Sequence, residues 1–178
     1  YHSYPVTDED GKVIGTISRY HLISNHKKKV ILMDHNEKGQ SVDGIEEAEV
    51  LEVIDHHRVA DFQTNNPLFF RSEPIGSTST IVAKCFFERD IQPSKEAAGL
   101  LCGAIISDTL LFRSPTCTEQ DKEICLKLAE MAGIKDVEEF ATEMFKAGTS
   151  LKGKTVEEIF NQDFKPFKMG NVKVGVAQ

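Results

Sequence analysis

An α/β fold built on a parallel β-sheet flanked by helices is what this sequence predicts, with a β-hairpin before it and the start of a second α/β domain after it. Three observations carry the prediction. The runs Val30-Ile31-Leu32-Met33 and Val50-Leu51-Glu52-Val53-Ile54 are short and almost continuously apolar, as strands covered on both faces are. Each ends abruptly in polar residues, Asp34-His35-Asn36 after the first and Asp55-His56-His57 after the second. From Gly76 onward, hydrophobic residues recur at helical spacing instead.

The opening segment YPVTDEDGKVIGTISRYHLIS places two short apolar runs around Asp8-Glu9-Asp10-Gly11, a turn signal between strands. His26-Lys27-Lys28-Lys29 is a basic, polar junction, so residues 1–27 and 28–148 are read as separate units. Ile45-Glu46-Glu47-Ala48-Glu49 leads into the second apolar run, and Leu68-Phe69-Phe70-Arg71, following Asn65-Asn66-Pro67, reads as a third strand.

The helices follow in order. Gly76-Ser77-Thr78-Ser79-Thr80 gives the first of them a hydroxyl-rich N-terminus, which serves either as a simple cap or as an anion site. Pro93-Ser94-Lys95-Glu96 opens the next, which is apolar all round from Ala97 to Ile106, is expected to be buried, and ends at Ser107-Asp108-Thr109. Thr118-Glu119-Gln120-Asp121 begins a helix with an acid-rich first turn, whose inner face carries Ile124, Leu128 and Met131 and which stops at Gly133. A fourth amphipathic helix runs from Glu138 to Ala147, ended by Gly148. Residues 149–178 form a connector, a short helix and a terminal strand marked by Val172, Val174 and Val176, without a following partner.

Composition narrows the function. With 40% hydrophobic and 28% charged residues the chain reads as globular and soluble, and no apolar stretch approaches the ~20 residues of a membrane span. The first residues show no basic start followed by an apolar run, so a cytoplasmic location is expected. A formal net charge of -7 argues against a broad nucleic-acid surface. Cys85, Cys102, Cys117 and Cys125 lack metal-ligand or disulfide-scaffold spacing and read as reduced thiols.

Asp34, Asp55, His56, His57 and Asp108 all lie where an apolar element ends, the position at which open α/β sheets bind ligands. A carboxylate and two imidazoles at the end of a buried strand cost desolvation energy unless an ion compensates them. Mixed carboxylate and imidazole ligation suits Mn²⁺, Co²⁺ or Fe²⁺, and bridging acids suit a pair of metals.

Asp34-His35-Asn36, Asp55-His56-His57, Gly76-Ser77-Thr78-Ser79-Thr80, the SDTLLF and SPTCT segments after residue 106, and Asp163-Phe164-Lys165-Pro166-Phe167 together resemble the manganese-dependent (family II) inorganic pyrophosphatases of the DHH phosphoesterase superfamily. The resemblance runs from about residue 28 to the end. Residues 1–27 resemble the close of a CBS domain, with Ser18 matching and His21 in place of the usual ribose-binding acid, so the chain resembles an internal fragment of the CBS-containing subset. The implied fold is a DHH-type parallel sheet, a partial CBS-like hairpin and the start of a DHHA2-like domain at 149–178.

The resemblance also implies roles. Asp34 and Asp108 would each bridge two metals, His56 would complete the shell of one, and the metals would share a nucleophilic water or hydroxide. His57 would bond the leaving phosphate, Asp55 would orient the histidine pair from behind, and Lys165 would reach the substrate phosphate. His35, Asn36 and Ser77 are expected near the site, and Lys146 and Lys152 on the surface. Implied partners are inorganic pyrophosphate, Mn²⁺ or Co²⁺, Mg²⁺ with the substrate, a second subunit in a homodimer, and adenine nucleotide as regulator of the full-length protein. The family's earlier His-x-x-x-Asp-x-Asp segment and its C-terminal Arg-Lys pair are absent from these 178 residues, so the segment alone is expected to be weakly active or inactive. Two other readings stand beside this one. The first is a DHH-family phosphodiesterase acting on short oligonucleotides, cyclic dinucleotides or phosphoadenosine phosphate; the second is a nucleotide-sensing module without hydrolysis.

Overall fold

The computed structural model describes residues 3–23, 27–60, 62–64, 66–150, 152–161 and 164–176. His26, Asn65 and Asp163, assigned above to a junction, a turn and the C-terminal motif, lie outside them. β1 (Ser3–Thr7) and β2 (Val13–Ser18) pair antiparallel, as the turn signal requires. Asp8 builds that turn: its Oδ1 accepts the N–H groups of Asp10 and Lys12 at 3.1 and 2.9 Å. α1 (Arg19–Ile23) enters through a reciprocal cap, in which the His21 N–H reaches Ser18 Oγ at 3.4 Å and the Ser18 N–H donates to His21 Nδ1 at 3.0 Å. An acid or amide side chain usually fills that returning position. Here the imidazole does, which gives His21 a local structural use.

β3 (Lys29–Met33), β4 (Glu49–Asp55) and β5 (Phe69–Ser72) form a parallel sheet in sequence order. Met33 lies opposite Ile54, and Asp55 opposite Ser72, so the carboxyl ends of the three strands are level. Between β3 and β4 the chain makes two single 3-10 turns, Lys38–Gln40 and Ile45–Glu47. In β4 the consecutive residues Val53, Ile54 and Asp55 are all buried, so that strand is covered on both faces. β3 differs from expectation: Leu32 is buried, but Ile31 and Met33 are 53% and 44% exposed, so one face stands open. A run of apolar side chains reports β-propensity without reporting how many faces meet a neighbour.

The helices are α2 (Thr78–Phe87), α3 (Lys95–Thr109), α4 (Glu119–Ala132) and α5 (Val137–Gly148). Each begins at a residue whose oxygen accepts from the first turn: Ser77 from Ser79, Ser94 from Ala97, Thr118 from Asp121, and Asp136 from Glu138 and Glu139. Gly133, with φ of 75°, closes α4 in a left-handed conformation that a Cβ would penalise. The main core joins Ala98, Cys102, Ile105 and Ile106 of α3 to Cys125, Leu128 and Ala129 of α4 and Ala141 of α5. α3 is less enclosed than its all-apolar sequence predicts, because Leu100 is 77% exposed. Hydropathy alone does not show which face of such a helix the neighbours leave open. A smaller cluster of Ile54, Ile75 and Ile81 fastens β4 to α2. All four cysteines carry free thiols, as expected.

α6 (Val156–Asn161) precedes the antiparallel pair β6 (Lys165–Met169) and β7 (Val172–Val176). The terminal strand is present, and its partner β6 precedes it. Pro166 masked β6 in the sequence, because proline supplies no ladder N–H; in a two-stranded pair it is tolerated opposite Gly175.

Candidate metal centre

The register that levels β3 with β4 sets Asp34 beside the Asp55-His56-His57 turn. The Asp34 N–H makes one more ladder bond, to the Ile54 carbonyl at 3.0 Å, and the chain then leaves the sheet through a φ of 65° at Asp34. Aspartate tolerates that left-handed region better than most residues. Asp34 Oδ1 stands 3.6 Å from His56 Nε2 and 3.9 Å from His57 Nδ1. Among the described residues, Asp34, His56 and His57 form the group whose ligand atoms all lie within 4.8 Å of one another.

Asp55 is fully buried behind this group. Its Oδ1 accepts the backbone N–H of His56 at 2.8 Å, that of His57 at 3.1 Å and the His57 ring Nδ1–H at 2.8 Å, while Oδ2 accepts the Asn36 amide at 2.6 Å. Burial pushes its pKa up, but the donors from His57 and Asn36 outweigh burial and hold the carboxyl below its ordinary value. Asn36, 2% exposed, also donates to the Arg58 carbonyl at 2.9 Å and accepts from the Ala60 N–H at 3.3 Å, locking together the turns after β3 and β4. Because Asp55 accepts from Nδ1 of His57, the open nitrogen of that ring is Nε2.

His56 is oriented by a different group. Its Nδ1 lies 2.9 Å from the Ile75 carbonyl oxygen. A carbonyl only accepts, so Nδ1 carries the hydrogen and Nε2 turns a lone pair toward Asp34. An imidazole lone pair beside an exposed carboxylate, with the opposite ring nitrogen fixed by a carbonyl, is a donor set that fits a divalent first-row cation.

Asp108 sits exposed in the last turn of α3, where its Oδ2 accepts the Ser77 hydroxyl at 2.6 Å. It is outside the three-residue group. Just beyond it, Leu110, Leu111 and Phe112 take φ values of 49°, 52° and 65° in succession, each costing roughly 1–2 kcal/mol in a side-chain-bearing residue. Thr109 braces that turn, its Oγ1 accepting the Phe112 N–H at 3.2 Å and its carbonyl accepting the Ser114 N–H at 2.8 Å. Lys165 opens β6 and is exposed, as are Lys146 and Lys152. His35 spans its own loop, bonding the Met33 carbonyl at 3.0 Å and Ser41 Oγ at 2.9 Å.

Two participants escaped the sequence reading. Ile75 acts through its carbonyl, which no side-chain pattern displays. Asp121, read as an ordinary helix-start acid, is fully buried and accepts the Gly76 N–H at 2.8 Å and the Thr80 hydroxyl at 2.6 Å. The capping pattern Thr118-x-x-Asp121 was legible, whereas the contact with Gly76, 45 positions earlier, was not.

Comparison with known proteins identifies the family. Residues 6–105 match the DHH family, N-terminal domain, and residues 142–178 match the DHHA2 domain. The chain is 74% identical over all 178 residues to the cobalt-dependent inorganic pyrophosphatase of Clostridium perfringens, spanning 32% of that protein. It is 63% identical over 149 residues, 84% of this chain, to a Clostridium acetobutylicum protein named "Probable manganese-dependent inorganic pyrophosphatase", spanning 48% of its length. The crystal structure of the "Methanococcus jannaschii putative family II inorganic pyrophosphatase" superposes with a TM-score of 0.72 at 44% identity, over 85% of this chain and 52% of that one. The chain thus spans a third to a half of the relatives it matches. With the family match covering more than half of its residues, and with Asp55-His56-His57 at the carboxyl edge of a parallel sheet, this chain belongs to the DHH family and carries DHHA2 sequence at its C-terminal end.

Proposed function

We propose that the protein carrying this chain hydrolyses inorganic pyrophosphate to two phosphates at a divalent-metal centre. The observation that carries the reading is the pairing of the oriented His56 Nε2 with Asp34 at 3.6 Å; the names of the relatives supply the substrate and the metals, manganese or cobalt. Asp34 and His56 would hold one cation, and Asp108 would join Asp34 in bridging a second. Cations so held neutralise phosphoryl oxygens and lower the pKa of water, and Mg²⁺ would accompany the substrate.

The remaining residues follow from their own chemistry. His57 offers Nε2 to the leaving phosphate, while Asp55 behind it stabilises the ring when it carries a second proton and keeps it in one orientation. Lys165 supplies a cation for a phosphate oxygen from the start of the DHHA2 part. In domain terms, residues 1–27 are the end of a CBS domain through which adenine nucleotide regulates the full-length protein, 28–148 the DHH domain and 149–178 the beginning of the DHHA2 domain. We place the protein in the cytoplasm as a homodimer without nucleic-acid partners, in keeping with its net charge of -7; no helix among the described residues is long and apolar enough to cross a membrane.

Phosphate release from pyrophosphate, measured with Mn²⁺, Co²⁺ and Mg²⁺ and set against a dinucleotide substrate, tests the reading. Release from pyrophosphate with Mn²⁺ or Co²⁺ is expected of the full-length protein. Turnover of the dinucleotide alone would overturn it.

A further inference from the structure

We propose that Asp121 is a positioning residue for the metal centre: it grips the Gly76 N–H, and so sets both the Ile75 carbonyl that orients His56 and the Ser77 hydroxyl that holds Asp108. The inference rests on the reading of His56 and Asp108 as metal ligands. Its geometry is a short relay. The three consecutive residues Ile75, Gly76 and Ser77 each make one polar contact outside their own segment, to His56 Nδ1 at 2.9 Å, Asp121 Oδ2 at 2.8 Å and Asp108 Oδ2 at 2.6 Å. The middle contact is the anchor of the other two.

Asp121 is suited to anchor a backbone segment. It is fully buried, and both oxygens are spent: Oδ1 accepts from Thr80 Oγ1 at 2.6 Å, and Oδ2 from the Gly76 N–H, the Thr118 N–H at 2.8 Å and Thr118 Oγ1 at 2.7 Å. A capping box needs only the contacts with Thr118. The bonds to Gly76 and Thr80 reach another helix and fix where α2 begins. The fit is close: a Cβ on Gly76 would come within 2.9 Å of Asp121 Oδ2, 2.8 Å of Thr109 Cγ2 and 3.1 Å of the Cys117 Cα. Glycine at 76 therefore lets the backbone approach the carboxylate, and the carboxylate holds it there. Charged acceptors make the stronger hydrogen bonds, and groups that orient a metal-binding imidazole commonly set metal affinity within 10–100-fold.

The test compares Asp121→Asn with Asp136→Ala, which removes the α5 cap whose side chain accepts from the Glu138 and Glu139 N–H groups. Two quantities are read in the isotope-labelled full-length protein: the ¹⁵N shifts of the His56 ring, which report its tautomer without metal, and Co²⁺ affinity from visible absorption. Expected is a single Nδ1–H tautomer in the unaltered chain and in Asp136→Ala, tautomer averaging in Asp121→Asn, and Co²⁺ binding weakened about tenfold in that variant alone. If Asp121→Asn does not fold, Thr80→Val frees one oxygen of Asp121 and is expected to shift the His56 ring the same way to a smaller extent. A lowered melting temperature with His56 still in one tautomer and Co²⁺ affinity unchanged would reduce Asp121 to a helix cap and overturn the inference. Absence of Co²⁺ binding by the unaltered full-length protein would overturn the metal reading instead, and the tautomer measurement keeps the two failures apart.

Discussion

His56 donates its Nδ1–H to the carbonyl oxygen of Ile75 at 2.9 Å, whereas its neighbour His57 donates the same ring nitrogen to Asp55. Adjacent histidines in one turn are therefore fixed by chemically different acceptors. A neutral carbonyl leaves the His56 Nε2 lone pair open toward Asp34, whereas a buried carboxylate holds the His57 ring with its Nε2 open.

That difference predicts separable losses. His56→Ala is expected to weaken Co²⁺ binding by at least about tenfold. His57→Ala is expected to leave Co²⁺ affinity nearly unchanged while lowering pyrophosphate turnover in the full-length protein by about 10²–10⁴. Titration by visible absorption beside a phosphate-release assay reads both. Equal loss of metal from the two variants would contradict the division.

Acid should unfold the chain partly through Asp121. Burial pushes this carboxyl up, but bonds from Thr80, Thr118 and Gly76 hold it below its ordinary value of 3.8. Between the folded and unfolded values the unfolded chain binds more protons, so stability rises with pH there. The Asp121 contribution is fully present above about pH 4 to 5 and lost as pH falls through the depressed folded value. Urea midpoints for the unaltered chain and Asp121→Asn should differ most near neutrality and converge below pH 4. A gap that widens on acidification would reverse the sign and refute the account.

Leu110 offers a test of stored backbone strain. It is 58% exposed at φ of 49°, so glycine there relieves the left-handed penalty and removes little buried surface. Offsetting roughly 1–2 kcal/mol of strain against up to ~1 kcal/mol of added unfolded-state freedom, Leu110→Gly is expected to stabilise by about 0.5–1 kcal/mol. Thermal unfolding decides it, and a loss beyond about 1 kcal/mol would show that the strain is not held at this residue.

Arg71 joins β5 to α2. Its guanidinium meets Glu88 through two bonds at 2.6 and 2.7 Å and Glu73 at 2.7 Å, and Lys84 also pairs with Glu73. Lysine cannot make the forked contact, so Arg71→Lys is expected to lose about 1 kcal/mol, with the half-exposed Glu88 limiting the effect. Equal stability of the two chains in denaturant titrations would show that the fork contributes nothing.

Much of this architecture was written in local sequence. Apolar runs located β3, β4 and β5, and α2, α3, α4 and α5 each began at a serine, threonine or aspartate because those oxygens satisfy N–H groups within a few residues. Strand β6 was hidden by Pro166, whose effect depends on whether a second neighbour requires its missing N–H. The open face of β3 and the exposed Leu100 were equally hidden, since an apolar side chain does not state whether anything packs on it.

The sequence by itself determined which residues stand at the ends of elements: Asp34 after one strand, Asp55-His56-His57 after the next, Asp108 at the close of a helix, a set that already pointed to metals. Only the tertiary structure decided how they are held. Strand register brought Asp34 to His56, the Ile75 carbonyl chose the His56 nitrogen, and Asp121 reached across 45 positions to fix the segment between them. Local hydrogen bonding is encoded in neighbours along the chain, whereas the orientation of an imidazole depends on whichever distant acceptor folding places against it.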